Sequence, residues 1–142
     1  MSPEDFMRVA LAEAKQGDYP YGAVLVKNHE IVAKAHNTGR RDHDPSAHAE
    51  VNVIRKLSRQ LQSASLAGYT LYTTGEPCPM CASACVWAGI TEIVFSVSIH
   101  ELVECGQNQI DIPCAEVIAR GFAPIKITQG LLRDEGLALF GP

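Results

Sequence analysis

Residues 70–97 read TLYTTGEPCPMCASACVWAGITEIVFSV. β-Branched and aromatic residues crowd its two ends, TLYTT and EIVFSV, and mark two strands. Between them Pro79 suits the first position of a short helix running through PMCASACVWA. A strand, a helix and a second strand in so short a span predict a parallel pair joined by a right-handed crossover. The same stretch carries Cys78, Cys81 and Cys85. Cys78 falls near the N-cap and Cys81 at the third helical residue, so both sulfurs sit at the positive end of a helix, where the thiolate is favoured. A C-x-x-C between a strand and a helix serves redox pairs as well as metal sites, and this segment alone leaves the two open.

Upstream, Ser2, Pro3 and Asp5 look like a helix start, and Phe6, Val9, Ala10 and Ala14 recur at helical spacing until Gly17. GAVLV and IVAKAH follow as a hairpin around KNHE, and a polar loop leads into AHAEVNVIRKLSRQL, whose Val51, Ile54, Leu57 and Leu61 mark one apolar face. Downstream, ELVECGQNQI shows no clear period. Asp111 and Pro113 are expected to start a helix ending at Gly121, PIKIT reads as a last strand, and GLLRDEGLALF as a closing helix. This alternation predicts an α/β fold, a three-layer αβα sandwich with a mixed sheet of about five strands, in one domain over residues 1–142.

Apolar residues at 46% and charged residues at 20% describe an ordinary globular chain. No apolar run approaches the roughly 18 residues that span a bilayer. The acidic N-terminus is unlike a secretory signal, which points to the cytoplasm. Five cysteines, three of them bunched, do not suit a secreted disulfide framework. The net charge of −4 argues against a general electrostatic grip on nucleic acid. Arg40–Arg41 and the group Arg55, Lys56 and Arg59 come nearest to a basic patch, the latter group reading as a solvated helix face.

The segment DPSAHAE places His48 and Glu50 at the start of the helix preceding the cysteines. If the two helix starts lie side by side, His48, Cys78 and Cys81 converge on one ion and leave the fourth tetrahedral position open, the arrangement of a catalytic zinc site. Two thiolates weaken the metal as a Lewis acid, so a base nearby is needed, and Glu50 supplies one. The combination of H-x-E with P-C-x-x-C resembles the cytidine/deoxycytidylate deaminase superfamily, in particular its guanine deaminase and tRNA adenosine deaminase branch. The resemblance implies a zinc-dependent hydrolytic deaminase with one Zn2+ per chain, held by His48, Cys78 and Cys81, with Glu50 as proton shuttle. Cys85, Cys105 and Cys114 stand outside that signature and read as small buried hydrophobes.

AHN, ending at Asn37, resembles the purine-acting branches, in which an asparagine after this strand bonds the ring; an Asx-turn is the other reading of Asn37. The expected substrate is a free nucleobase or nucleoside, most of all an aminopurine such as guanine. Asn37, Ala49, Glu104 and Asp111 form the expected substrate-binding set, Glu104 or Asp111 supplying a carboxylate where Gln109 stands in the position aligned with the acid of guanine deaminases. The alternatives are a tRNA-specific adenosine deaminase, a non-catalytic zinc-binding module and a redox protein. A small-molecule substrate is the expected partner, with no nucleic acid and no membrane. A homodimer formed through the region of Trp87 is expected as well.

Overall fold

The computed structural model describes residues 1–141. Its elements are α1 (Pro3–Ala14), β1 (Gly22–Lys27), β2 (Glu30–His36), α2 (Ala49–Leu61), β3 (Thr70–Gly75), α3 (Pro79–Ala88), β4 (Glu92–Val97), α4 (Ile99–Glu104), α5 (Cys114–Ala119), β5 (Lys126–Thr128), α6 (Arg133–Leu137) and a 3-10 turn, Ala138–Phe140. The strands form one sheet in the order β2-β1-β3-β4-β5. β1 pairs antiparallel with both β2 and β3, while β3–β4 and β4–β5 are parallel. The expected mixed sheet of five strands, with helices packed on both of its faces, is therefore present.

The period-2 alternation of the strands divides the core into two layers. Ala23, Leu25, Leu71, Ile93 and Phe95 face α2, α3 and α5, where Val53, Leu57, Ala82, Cys85 and Ile118 meet them. Val24, Val26, Tyr72 and Val94 face the other way, onto Phe6, Met7, Ala10 and Leu11 of α1. Helix α1 starts as its sequence predicts, with a reciprocal capping box between Ser2 and Asp5 and Pro3 at its head. It lies so close to the sheet that a Cβ at Gly22 would collide with the carbonyl of Ala10. At the hairpin, Asn28 and His29 both take left-handed backbone, φ 52° and 62°, as a two-residue turn between twisted strands requires.

Several expectations need correction. The segment without a clear period contains α4, capped reciprocally by Ser98 and Glu101. That S-x-x-E spacing was the available signal. Pro113, not Asp111, is the N-cap of α5. On α2 the buried positions are Ala49, Glu50, Val53 and Leu57, and Leu61 is exposed. Cys85 and Cys114 are buried as expected, but Cys105 is exposed. Among the described residues no helix is long and apolar enough to cross a membrane.

The topology itself builds the site. Because β1 lies between β2 and β3 and runs against both, β2 and β3 point the same way. Each hands the chain to a helix at its C-terminal end, so the starts of α2 and α3 arrive at one edge of the sheet. Ligand sites of α/β sheets lie at such carboxyl edges.

Candidate metal centre and substrate cavity

His48 is the N-cap of α2 and Cys78 the N-cap of α3, with Cys81 in the first turn. The Nδ1 of His48 lies 3.6 Å from the Sγ of Cys78 and 3.5 Å from the Sγ of Cys81. The three ligand atoms all lie within 4.8 Å of one another. A tetrahedral zinc, with Zn–S near 2.3 Å and Zn–N near 2.0–2.1 Å, separates nitrogen from sulfur by roughly 3.5 Å. The donor set and its spacing therefore fit that ion. Cys85, a helical turn beyond Cys81, is fully buried in the core and takes no part in the cluster.

In the free cluster only one of the two thiols is held in the charge state that a metal needs. Hydrogen bonds from the Cys81 thiol and from His48 hold Cys78 down to about 4, against the upward push of burial. Contact with the Cys78 sulfur raises His48. Cys81 is pushed far up by its contact with Cys78 and by burial, so the pair shares one proton that a metal would displace. Glu50, at the second position of α2, is buried at 6% exposure. Burial and the Cys78 sulfur push its carboxyl up to about 7.

The loop from β2 to α2 is held by side chains whose role the sequence did not disclose. Asn52 Nδ2 donates to the carbonyl of His36 at 2.9 Å and to Thr38 Oγ1 at 3.0 Å. Asp44 Oδ1 accepts from both the backbone N–H and the hydroxyl of Ser46, at 2.8 and 2.6 Å, folding the turn before His48. On the α3 side, Glu76 is a buried carboxylate. Its two oxygens accept from the backbone N–H groups of Ile99 and Cys114 at 2.8 and 2.7 Å, tying the cysteine loop to the starts of α4 and α5.

The metal cluster opens onto a cavity of about 840 Å³. His48, Glu50 and Cys78 line it together with Asn37, Tyr19, Tyr21, Arg40, His43 and the segment from Gly106 to Gln109. The Asx-turn reading of Asn37 holds, and the residue also borders the cavity. It is buried, and its Oδ1 accepts from the Gly39 N–H at 2.9 Å. Its side-chain nitrogen is then the group it can offer to an occupant.

The other expected substrate contacts are placed elsewhere. Ala49 is fully buried in the core and is not part of the cavity lining. Glu104 and Asp111 do not line the cavity either. They are exposed and flank His100, at 3.8 and 3.6 Å. The reason is α4: once residues 99–104 coil, Glu104 comes to lie one turn beyond His100 on the outer surface, and the loop after the helix brings neutral amides to the cavity instead. Tyr21, Gln107 and Asn108 were not singled out from the sequence as site residues, since nothing in their spacing carries a chemical signature.

The zinc-binding region of cytidine and deoxycytidylate deaminases matches residues 1–97. The chain belongs to that family. The tRNA-specific adenosine deaminase of Aquifex aeolicus is 45% identical over 100 residues, 68% of this chain and 66% of that protein. The chain thus matches just under two thirds of that relative's length. The guanine deaminase of Bacillus subtilis is 35% identical over 127 residues, 82% of this chain and 81% of that one. Among solved structures, one from work on A-to-I editing by tRNA:A34 deaminases superposes with a TM-score of 0.82 at 31% identity, covering 95% of this chain and 98% of that one.

Proposed function

We propose that this chain deaminates an aminopurine ring by hydrolysis, with His48, Cys78 and Cys81 holding one zinc and Glu50 moving the proton. The observation that carries this reading is the placement of a buried carboxyl, Glu50, on the wall of the cavity that the His/Cys/Cys cluster opens onto. Bound there, zinc supplies the Lewis acid that makes water a nucleophile near neutral pH. Glu50 takes the proton that water releases and delivers it to the ring nitrogen beside the reacting carbon. It then takes the proton of the hydroxyl newly bonded to that carbon and passes it to the exocyclic amine, so that the C–N bond breaks, ammonia leaves and the carbon becomes a carbonyl. Burial, which pushes this carboxyl above the ordinary carboxylate range, suits a group that must both take and give a proton. Asn37 orients the ring through its side-chain N–H. Ammonia release from guanine, adenine, cytosine and their nucleosides tests the reading, and silence on all of them in zinc-loaded protein would remove the free-ring form of it.

A second reading is an adenine presented by tRNA, the substrate named for the Aquifex relative. The cavity rim supports it. Tyr19 is 46% exposed, and the Arg40 guanidinium lies 5.4 Å from the centre of its ring. An aromatic face and a guanidinium plane at a cavity mouth can stack the nucleotides that flank a splayed-out base. Inosine formation in an RNA hairpin carrying adenosine in its loop, with no ammonia from free bases, would establish it over the first.

The proposal includes a homodimer. Trp87 is 77% exposed, Phe122 is 68% exposed, and their rings lie 5.0 Å apart. A second copy covering this pair would remove a large apolar area from water. Sedimentation at micromolar concentration should show a dimer that Trp87→Lys converts to monomer.

A further inference from the structure

Tyr21 stands at the first residue before β1 and reaches across the cavity wall. Its ring is fixed from two sides. Phe140 packs against it with ring centres 5.6 Å apart, and a Cβ at Gly75 would come within 3.1 Å of it. The hydroxyl bridges two side chains of the segment after α4. It donates to Gln107 Oε1 at 3.0 Å and accepts from Gln109 Nε2 at 3.3 Å. Burial pushes this phenol up to about 12, so it keeps its proton at any working pH.

In this arrangement the hydroxyl gives its one proton to Gln107 and uses its oxygen to receive one from Gln109. With Tyr21 donating to one glutamine and accepting from the other, Gln107 is left with N–H to offer and Gln109 with C=O. The wall then offers one donor and one acceptor side by side, without any carboxylate.

Resting on the aminopurine reading above, we propose that Tyr21 is a specificity-determining residue. By holding Gln107 and Gln109 in opposite polarity, it makes the cavity wall complementary to a ring edge that carries an N–H beside a C=O. Guanine has such a lactam edge. The six-membered ring of adenine, apart from the amine it would lose, offers only acceptor nitrogens, and would leave the amide C=O unpaired in the cavity. A site built to pair a polar group discriminates strongly against a ligand lacking it. The acceptor that Glu104 or Asp111 was expected to provide is supplied by an amide instead.

The test compares guanine with adenine on wild type, Tyr21→Phe and Gln107→Glu, all zinc-loaded. The ratio of kcat/KM, guanine over adenine, should fall at least ~10-fold in Tyr21→Phe, because both amides are then free to turn. In Gln107→Glu, which keeps the bond from Tyr21 but replaces the donor by an acceptor, the ratio should instead rise, because adenine loses its one partner on the wall while the guanine N–H keeps an acceptor, and this arm decides the matter if the phenylalanine variant does not fold. The same discrimination is read without turnover as the ratio of dissociation constants in a Glu50→Ala background. Wild-type protein that releases no ammonia from any ring would sink the deaminase reading alone. Binding ratios unchanged by both Tyr21→Phe and Gln107→Glu would sink this proposal alone.

Discussion

The side-chain nitrogen of Asn52 lies 2.9 Å from the carbonyl oxygen of His36, and 3.3 Å from that of Ala47. It therefore staples both ends of the loop between β2 and α2 to the first turns of the helix that begins at His48. The position of one metal ligand depends on a residue with no chemistry of its own.

Asn52→Leu should accordingly weaken metal binding as well as the fold. Its partners would lose a half-buried donor, a cost at the lower end of ~1–3 kcal/mol. The expected result is a lowered melting temperature together with faster loss of zinc to a chelator. A variant that melts early but holds zinc as tightly as wild type would show that the loop is positioned by other contacts.

Metal content should be about one zinc per chain, as a His/Cys/Cys set with an open position requires. Cys78→Ser or Cys81→Ser should abolish it, and Cys85→Ser should leave it unchanged, since that sulfur lies in the core. Chelation should lower the melting temperature of wild type but not that of Cys81→Ser. Elemental analysis of the purified variants decides the point.

Glu50→Ala should retain zinc and lose activity by at least ~10²-fold, the usual scale for a missing general acid–base group. Turnover within a few-fold of wild type would assign the proton to another group.

Asp18 provides a pH dependence on stability. Its carboxylate accepts from the backbone N–H and the Nε of Arg41 at 2.8 and 3.0 Å, and these bonds lower it from the ordinary 3.8. A carboxyl depressed in the folded state adds stability above its unfolded value, and that stability disappears as pH falls through the folded one. Thermal melts of wild type and Asp18→Asn should thus differ near neutrality and converge below pH 3.8. Because the same residue anchors the loop carrying Arg40, the variant should also raise KM for an RNA hairpin if such a hairpin is the substrate. A difference in melting temperature that persists at pH 2 would show that the neutral side chain is what matters.

Much of this protein was legible from local signals. The strand–helix–strand reading of residues 70–97, the capping of α1 by Ser2 and the placing of Cys78 and Cys81 on the first turn of α3 each depend on a few neighbouring residues. Such features are set by backbone propensity and short-range hydrogen bonding, and they survive in any fold that contains the segment. The H-x-E and P-C-x-x-C motifs were legible for the same reason, because each is compact along the chain.

The meeting of His48 with Cys78 and Cys81 is different. It depends on β2 and β3 running in one direction, which follows from both pairing antiparallel with β1. No property of residues 48, 78 and 81 contains that fact. The cavity wall lay still further from reach. Tyr21 and Gln107 touch across 86 positions of sequence, and Glu104 leaves the wall only because α4 turns it outward. The sequence by itself determined which chemistry the chain can perform, since that resides in residue types on single turns of helix. Only the tertiary structure decided which groups face the substrate, because a side chain's direction is settled by packing among elements distant in sequence.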